Sequence, residues 1–147
     1  MSMSSSFVYG YGFNSDCDRG KLIGFIKKHR KAFCKSDREK ELYEALDNCD
    51  LEDLFEYYSC DVTGTEGVGA VIANIMSRET GIMFEYCLPD CDCDTPASVV
   101  FEAIYPWLLN ETEKNLTIEK LSNIFEKYMN ELGITSEPDY LCLEYWG

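Results

Sequence analysis

Phe7-Val8-Tyr9-Gly10-Tyr11-Gly12-Phe13 (FVYGYGF) alternates without a break. Phe7, Tyr9, Tyr11 and Phe13 fall on one side and Val8, Gly10 and Gly12 on the other, the period of two that a strand produces. The aromatic side predicts a packed face. The glycine side predicts close approach by another element. A lone strand of this kind is not stable in water, and further strand patterns occur downstream. Asp139 to Trp146 alternates again, with Leu141, Leu143 and Tyr145 against Cys142 and Glu144. From Ser98 to Tyr105 the pair Thr95–Pro96 suits a helix start, but Val99, Val100, Phe101, Ile104 and Tyr105 favour a strand, with Pro106 ending it. Val68 to Met76 followed by Ile82 to Leu88 reads as a hairpin turning across Arg78 to Gly81.

The intervening segments carry helix signals. Ser15 and Asp18 resemble a capping box before the stripe Leu22, Ile23, Ile26 and Phe33. Ser36 and Glu39 repeat the box before Leu42, Leu46 and Cys49, and Asp50 and Asp53 before Leu51, Leu54, Phe55 and Tyr58. Thr117 opens the strongest amphipathic pattern, running through Leu121, Phe125, Tyr128 and Leu132 to a stop at Gly133. The predicted order is β-α-α-α-β-β-β-α-β. Segregated helices and strands predict an α+β domain over residues 1–147: a mostly antiparallel sheet of about five strands with helices packed on it. The serine-rich residues 1–6 are expected to lie outside the ordered part, and they lack the basic and apolar regions of a signal peptide. That points to the cytoplasm, where the eight cysteines are expected to be free thiols and mostly buried.

Charge divides the chain. Residues 1–40 hold nine bases and four acids, a net +5; residues 41–147 hold four bases and 23 acids, a net −19. Between Glu41 and Glu113 there are 17 acids and the single base Arg78. A polyanion is repelled by such a surface, so direct nucleic-acid binding is not expected, although Lys27, Lys28, His29, Arg30 and Lys31 form a local basic run. That run reads as a solvated face or one lying against acids of the same fold.

Motifs for bound groups fail on spacing or sign. Asp90, Asp92 and Asp94 resemble the opening of a calcium loop, but its glycine position is Thr95 and its bidentate glutamate position is Phe101. Cys91 and Cys93 are too close together for a structural zinc site. Gly10 and Gly12 precede a helix, yet Asp16 and Asp18 occupy the position where a pyrophosphate needs positive potential. Gly64, Gly67 and Gly69 lack the Lys–Ser/Thr of a phosphate loop. His29, the sole histidine, has no orienting acceptor or nucleophile at a telling spacing. No cofactor or metal is expected, and a binding protein is the stronger class over an enzyme.

The remaining candidate is a surface of carboxylates: Glu41, Glu44, Asp47, Asp50, Glu52, Asp53 and Glu56, with Asp90, Asp92 and Asp94 as a second patch. Carboxylates three or four residues apart on a helix stand about 5–6 Å apart at Cβ, comparable to phosphates along a strand. The plain account is solubility; the sharper one is a surface shaped for a groove that normally holds DNA or RNA.

The acidic composition, the segment YPWLLNETEK from Tyr105 to Lys114 and the aromatic C-terminal strand resemble small acidic proteins of Gram-positive phages and mobile elements. That resemblance implies no activity, site or cofactor, but it favours an inhibitor role. The leading expectation is therefore a non-enzymatic protein that blocks a basic, nucleic-acid-handling partner, as an anti-CRISPR or anti-restriction protein does. An immunity or adaptor protein using Tyr9, Tyr11, Trp107 and Trp146 stands second, and a metal protein or enzyme built on the Cys/Asp loop third.

Overall fold

The computed structural model describes residues 5–48, 51–59, 67–87, 97–102 and 109–146. Its strands are β1 (Ser5–Asn14), β2 (Glu85–Cys87), β3 (Ser98–Glu102) and β4 (Asp139–Trp146). They form one antiparallel sheet in the order β2-β3-β1-β4. The FVYGYGF segment is thus an interior strand. It meets β3 from Gly10 opposite Glu102 to Asn14 opposite Ser98, and β4 from Ser5 opposite Trp146 to Gly12 opposite Asp139. Ser5 and Ser6 belong to β1, contrary to the expectation for residues 1–6, because each has a β4 partner to pair with.

The glycine side of β1 does admit a close approach, and the approaching element is the neighbouring strand. A Cβ on Gly12 would lie 1.9 Å from the Val99 carbonyl oxygen. Of the aromatic side, Tyr11 and Phe13 pack as expected. Phe13 and Tyr11 meet Phe125 at 5.7 and 5.8 Å between ring centroids, and Phe84 closes on Phe125 at 5.4 Å. Tyr11 is consequently a core residue and not, as expected, an exposed contact aromatic.

The helices are α1 (Arg19–Lys28), α2 (Arg30–Phe33), α3 (Asp37–Ala45), α4 (Glu52–Ser59), α5 (Gly67–Thr80) and α6 (Ile118–Leu132). Short 3-10 turns occupy Leu46–Asn48 and Glu113–Asn115. Asp18 caps α1 by accepting from Lys21 N at 2.7 Å. Ser15 is no part of that cap; it is buried, and its hydroxyl donates to Ala97 O at 2.6 Å, tying β1 to the start of β3. Thr117 caps α6, and Gly133 ends it in the left-handed conformation at φ 72°.

The main correction concerns α5. Residues 68–76 are helix rather than strand, so the described sheet has four strands and not five. The helix packs against α2, α4, β2 and β3, and Ala70, Val71, Ile72, Ala73, Ile75 and Met76 are all buried. With only Val68 and Asn74 less than fully buried from Gly67 to Met76, this part of the helix has almost no polar face to reveal its period, and its Val and Ile residues imitate a strand. Gly67 permits the contact with α4, since a Cβ there would lie 2.5 Å from Phe55 Cδ1. The supposed hairpin turn is the end of this helix: Gly81, at φ 77°, donates its N–H to Ser77 O at 3.0 Å. Residues 82–84 then run without regular structure into β2. No helix among the described residues is long and apolar enough to cross a membrane.

Candidate partner-binding surface

The acidic helices are fixed by local chemistry. Ser36 Oγ accepts from Glu39 N at 3.2 Å, and Glu39 Oε1 accepts from Ser36 N at 3.1 Å, a complete capping box that starts α3. Glu39 also carries a second task. It is buried, and its Oε2 accepts the Tyr58 hydroxyl, joining the first turn of α3 to the last turn of α4. Since the end of α3 leads by a short connection into α4, the two helices fold back on one another.

Arg78 completes this joint from α5. Its Nη1 donates to Glu39 Oε2 at 2.7 Å, Ala32 O at 3.0 Å and Phe33 O at 3.1 Å, which also satisfies carbonyls at the end of α2. Burial pushes the Glu39 carboxyl up, but the hydrogen bonds from Tyr58 and Arg78 and the guanidinium charge outweigh it and hold the group below its ordinary value. The same burial and the facing carboxylate raise Tyr58. The Nη1 of the one base between Glu41 and Glu113 is therefore engaged by Glu39 and the end of α2, although the residue itself remains partly exposed.

The acids expected at the surface are found there where they are described. Glu41 and Glu44 on α3, Asp47 in the 3-10 turn, and Glu52, Asp53 and Glu56 on α4 are all exposed. The structure brings two of them a counter-charge. Lys27 of α1 pairs with Asp47, and Arg38 pairs with Glu41 at 3.2 Å. Glu44, Asp53 and Glu56 have no ion pair among the described residues. Asp50, Asp90, Asp92 and Asp94 lie outside the described residues, as do Trp107 and the side chains of Tyr9 and Trp146.

The basic run is partly absorbed by the fold. Lys28 Nζ reaches Glu131 Oε1 at 3.1 Å, and Arg30 stands over the Tyr43 ring at 5.2 Å. His29 breaks the first helix in two and is only 8% exposed. Its Nδ1 lies 2.8 Å from Glu79 Oε2 on α5 and its Nε2 2.5 Å from Glu131 Oε2 on α6. The Tyr128 hydroxyl donates to the other oxygen of Glu79 at 2.8 Å. Sequence reasoning missed both acceptors because they lie 50 and 102 residues away. A carboxylate faces each ring nitrogen, so neither is turned toward a substrate, and the group clasps three helices together. Burial pushes the Glu131 carboxyl up, and the hydrogen bonds from His29 and Lys28 bring it below its ordinary value.

A second surface feature is apolar. A groove of about 510 Å³ lies where β1, β3 and β4 meet the start of α6, floored by Tyr11, Phe101, Leu116 and Leu121. Ile118 and Tyr140 stand at its rim, with Tyr140 64% exposed. The described residues contain no group of three metal-ligating side chains, and of the two described free thiols Cys17 is raised to about 11 by burial and the neighbouring Asp18 and Asp16. No protein-family model, curated protein or solved structure matches the chain.

Proposed function

We propose that the chain is a non-enzymatic acidic binding protein of the cytoplasm that occupies the basic, nucleic-acid-handling surface of a protein partner by charge mimicry. The observation that carries this reading is the disposition of charge on α3 and α4. Arg78 is engaged by Glu39, and Arg38 and Lys27 pair with Glu41 and Asp47, while Glu44, Asp53 and Glu56 face solvent with no ion pair among the described residues. A net charge of −14 adds long-range attraction for a cationic groove and speeds encounter with it. An inhibitor of a restriction or CRISPR nuclease is the role this chemistry fits, since such enzymes present grooves that hold a polyanion. Binding to a purified nuclease of that class, followed calorimetrically, should weaken at least about tenfold between about 50 and 200 mM salt and be competed by duplex DNA. Affinity indifferent to salt, or undisturbed by DNA, overturns the proposal.

A second reading rests on the apolar groove and exposed Tyr140: an adaptor that grips one protein through aromatic contacts. It predicts weak salt dependence and loss of binding on Tyr140→Ala.

A further inference from the structure

His29 is the single residue between α1 and α2. Helix α2 is one turn of four residues, too short to hold itself in water. Helix α5 grips it at both ends with consecutive residues. Arg78 holds the carbonyls of Ala32 and Phe33 at its end, and Glu79 meets the His29 ring at its start. From the other side Glu131 of α6 meets the same ring.

The geometry dictates what the ring carries. A neutral imidazole has one N–H and one bare nitrogen, whereas here a carboxylate oxygen faces each nitrogen, Glu79 Oε2 at 2.8 Å and Glu131 Oε2 at 2.5 Å. Each carboxylate already receives a second donor on its other oxygen. The Tyr128 hydroxyl donates to Glu79 Oε1 at 2.8 Å, and Lys28 Nζ stands 3.1 Å from Glu131 Oε1. Neither acid needs a proton of its own, so the ring has to supply both N–H groups. Charge agrees: Lys28 and a cationic His29 balance Glu79 and Glu131, whereas a neutral ring leaves one carboxylate without a counter-charge. The rings of Phe25 and Tyr128, with centroids 4.6 and 5.6 Å from the imidazole, also favour a cation. Lys127 stands beyond this group, exposed, 5.4 Å from the centre of the Tyr128 ring. Burial alone works the other way.

We infer that His29 is a proton-operated latch: with both ring nitrogens protonated it fixes the bend between α1 and α2 to α5 and α6, and loss of one proton releases the start of α2. The latch is closed while the ring is charged and opens as pH rises and the proton leaves, because a bare nitrogen then faces a carboxylate oxygen, lone pair against lone pair. Arg78 still holds the other end of α2, so the release stays local. The bend carries Lys27 and Arg30, which reach Asp47 and Tyr43, so opening alters how these bases sit beside the acidic helix α3. The latch does not depend on the charge-mimic reading.

The chain has one histidine, so its ring signals are unambiguous in NMR of the intact protein labelled at the ring nitrogens. At about pH 7.5, where a free imidazole has lost its second proton, both nitrogens should still give the protonated signal. On titration upward, the step at which one proton leaves should coincide with a fall of at least about tenfold in the exchange protection of the Ala32, Phe33 and Cys34 amides, which close the turn of α2. Ile75 and Phe125, in the buried parts of α5 and α6, should keep theirs. Glu79→Gln, which removes one carboxylate charge and keeps an acceptor, should bring both events to lower pH together; if that variant fails to fold, the unaltered protein decides. A neutral ring at about pH 7.5 overturns the inference, as does a ring that loses its proton with no change in α2. Protection lost equally throughout the molecule at that step assigns the proton to global stability and also overturns the latch.

Discussion

Arg78 Nη1 stands 2.7 Å from Oε2 of Glu39, a carboxylate only 1% exposed. That contact links α2, α3, α4 and α5, because the same guanidinium holds the carbonyls of Ala32 and Phe33 and the same carboxylate holds Tyr58 and the cap of α3. Removing one member leaves the others buried and unsatisfied. Arg78→Met is expected to cost about 3 kcal/mol in urea unfolding, since the buried charge left on Glu39 has no counter-charge. Arg78→Met combined with Glu39→Gln should cost less than the two single changes added together.

Acid should weaken the fold through two carboxylates. Glu39 and Glu131 both lie below their ordinary value of 4.5 in the folded protein. A depressed folded value means the stabilisation is complete above the unfolded value and is lost as pH falls through the folded one. The urea midpoint should therefore hold near neutrality and drop below about pH 4.5, and Glu39→Gln should flatten that drop.

Two glycines should respond oppositely to alanine. A Cβ at Gly12 meets the Val99 carbonyl oxygen at 1.9 Å, whereas one at Gly24, within α1, meets nothing within 4 Å. Gly12→Ala is expected to abolish cooperative unfolding. Gly24→Ala should raise stability by about 0.5–1 kcal/mol, because alanine orders a helix at lower entropic cost. Thermal melts of the two variants separate these outcomes.

Charge removal at the surface should leave the fold intact and weaken partner binding. Glu44→Gln with Glu56→Gln should alter stability by less than about 0.5 kcal/mol, since both residues are exposed. The same double variant should lower affinity for a basic nuclease and shallow its salt dependence. Unchanged affinity would move the contact away from α3 and α4.

Local chemistry explains which elements were legible in sequence. The alternation of β1 and β4, the Ser36–Glu39 box and the Thr117-to-Gly133 span of α6 each require only neighbouring residues, and each appears where expected. Helix α5 was illegible because the burial of nearly every residue from Gly67 to Met76 erases its period there. For the surface, exposure of Glu41, Glu44, Glu52, Asp53 and Glu56 followed from composition. The Lys27–Asp47 pair did not, because its members lie 20 residues apart on separate elements. The engagement of Arg78 by Glu39 was likewise hidden, since its partner lies 39 residues earlier.

The sheet order has a temporal consequence. Gly10 waits for Glu102 and Ser5 for Trp146, so β1 finds neither partner until most of the chain has been made. At a synthesis rate of roughly 5–20 residues per second, both of its edges stay bare for several seconds. An aromatic strand left open that long attracts other nascent chains, and distant pairings of this kind form slowly even afterwards. Production in cells should therefore depend on chaperone capacity and translation speed well before the stability of the finished fold becomes limiting.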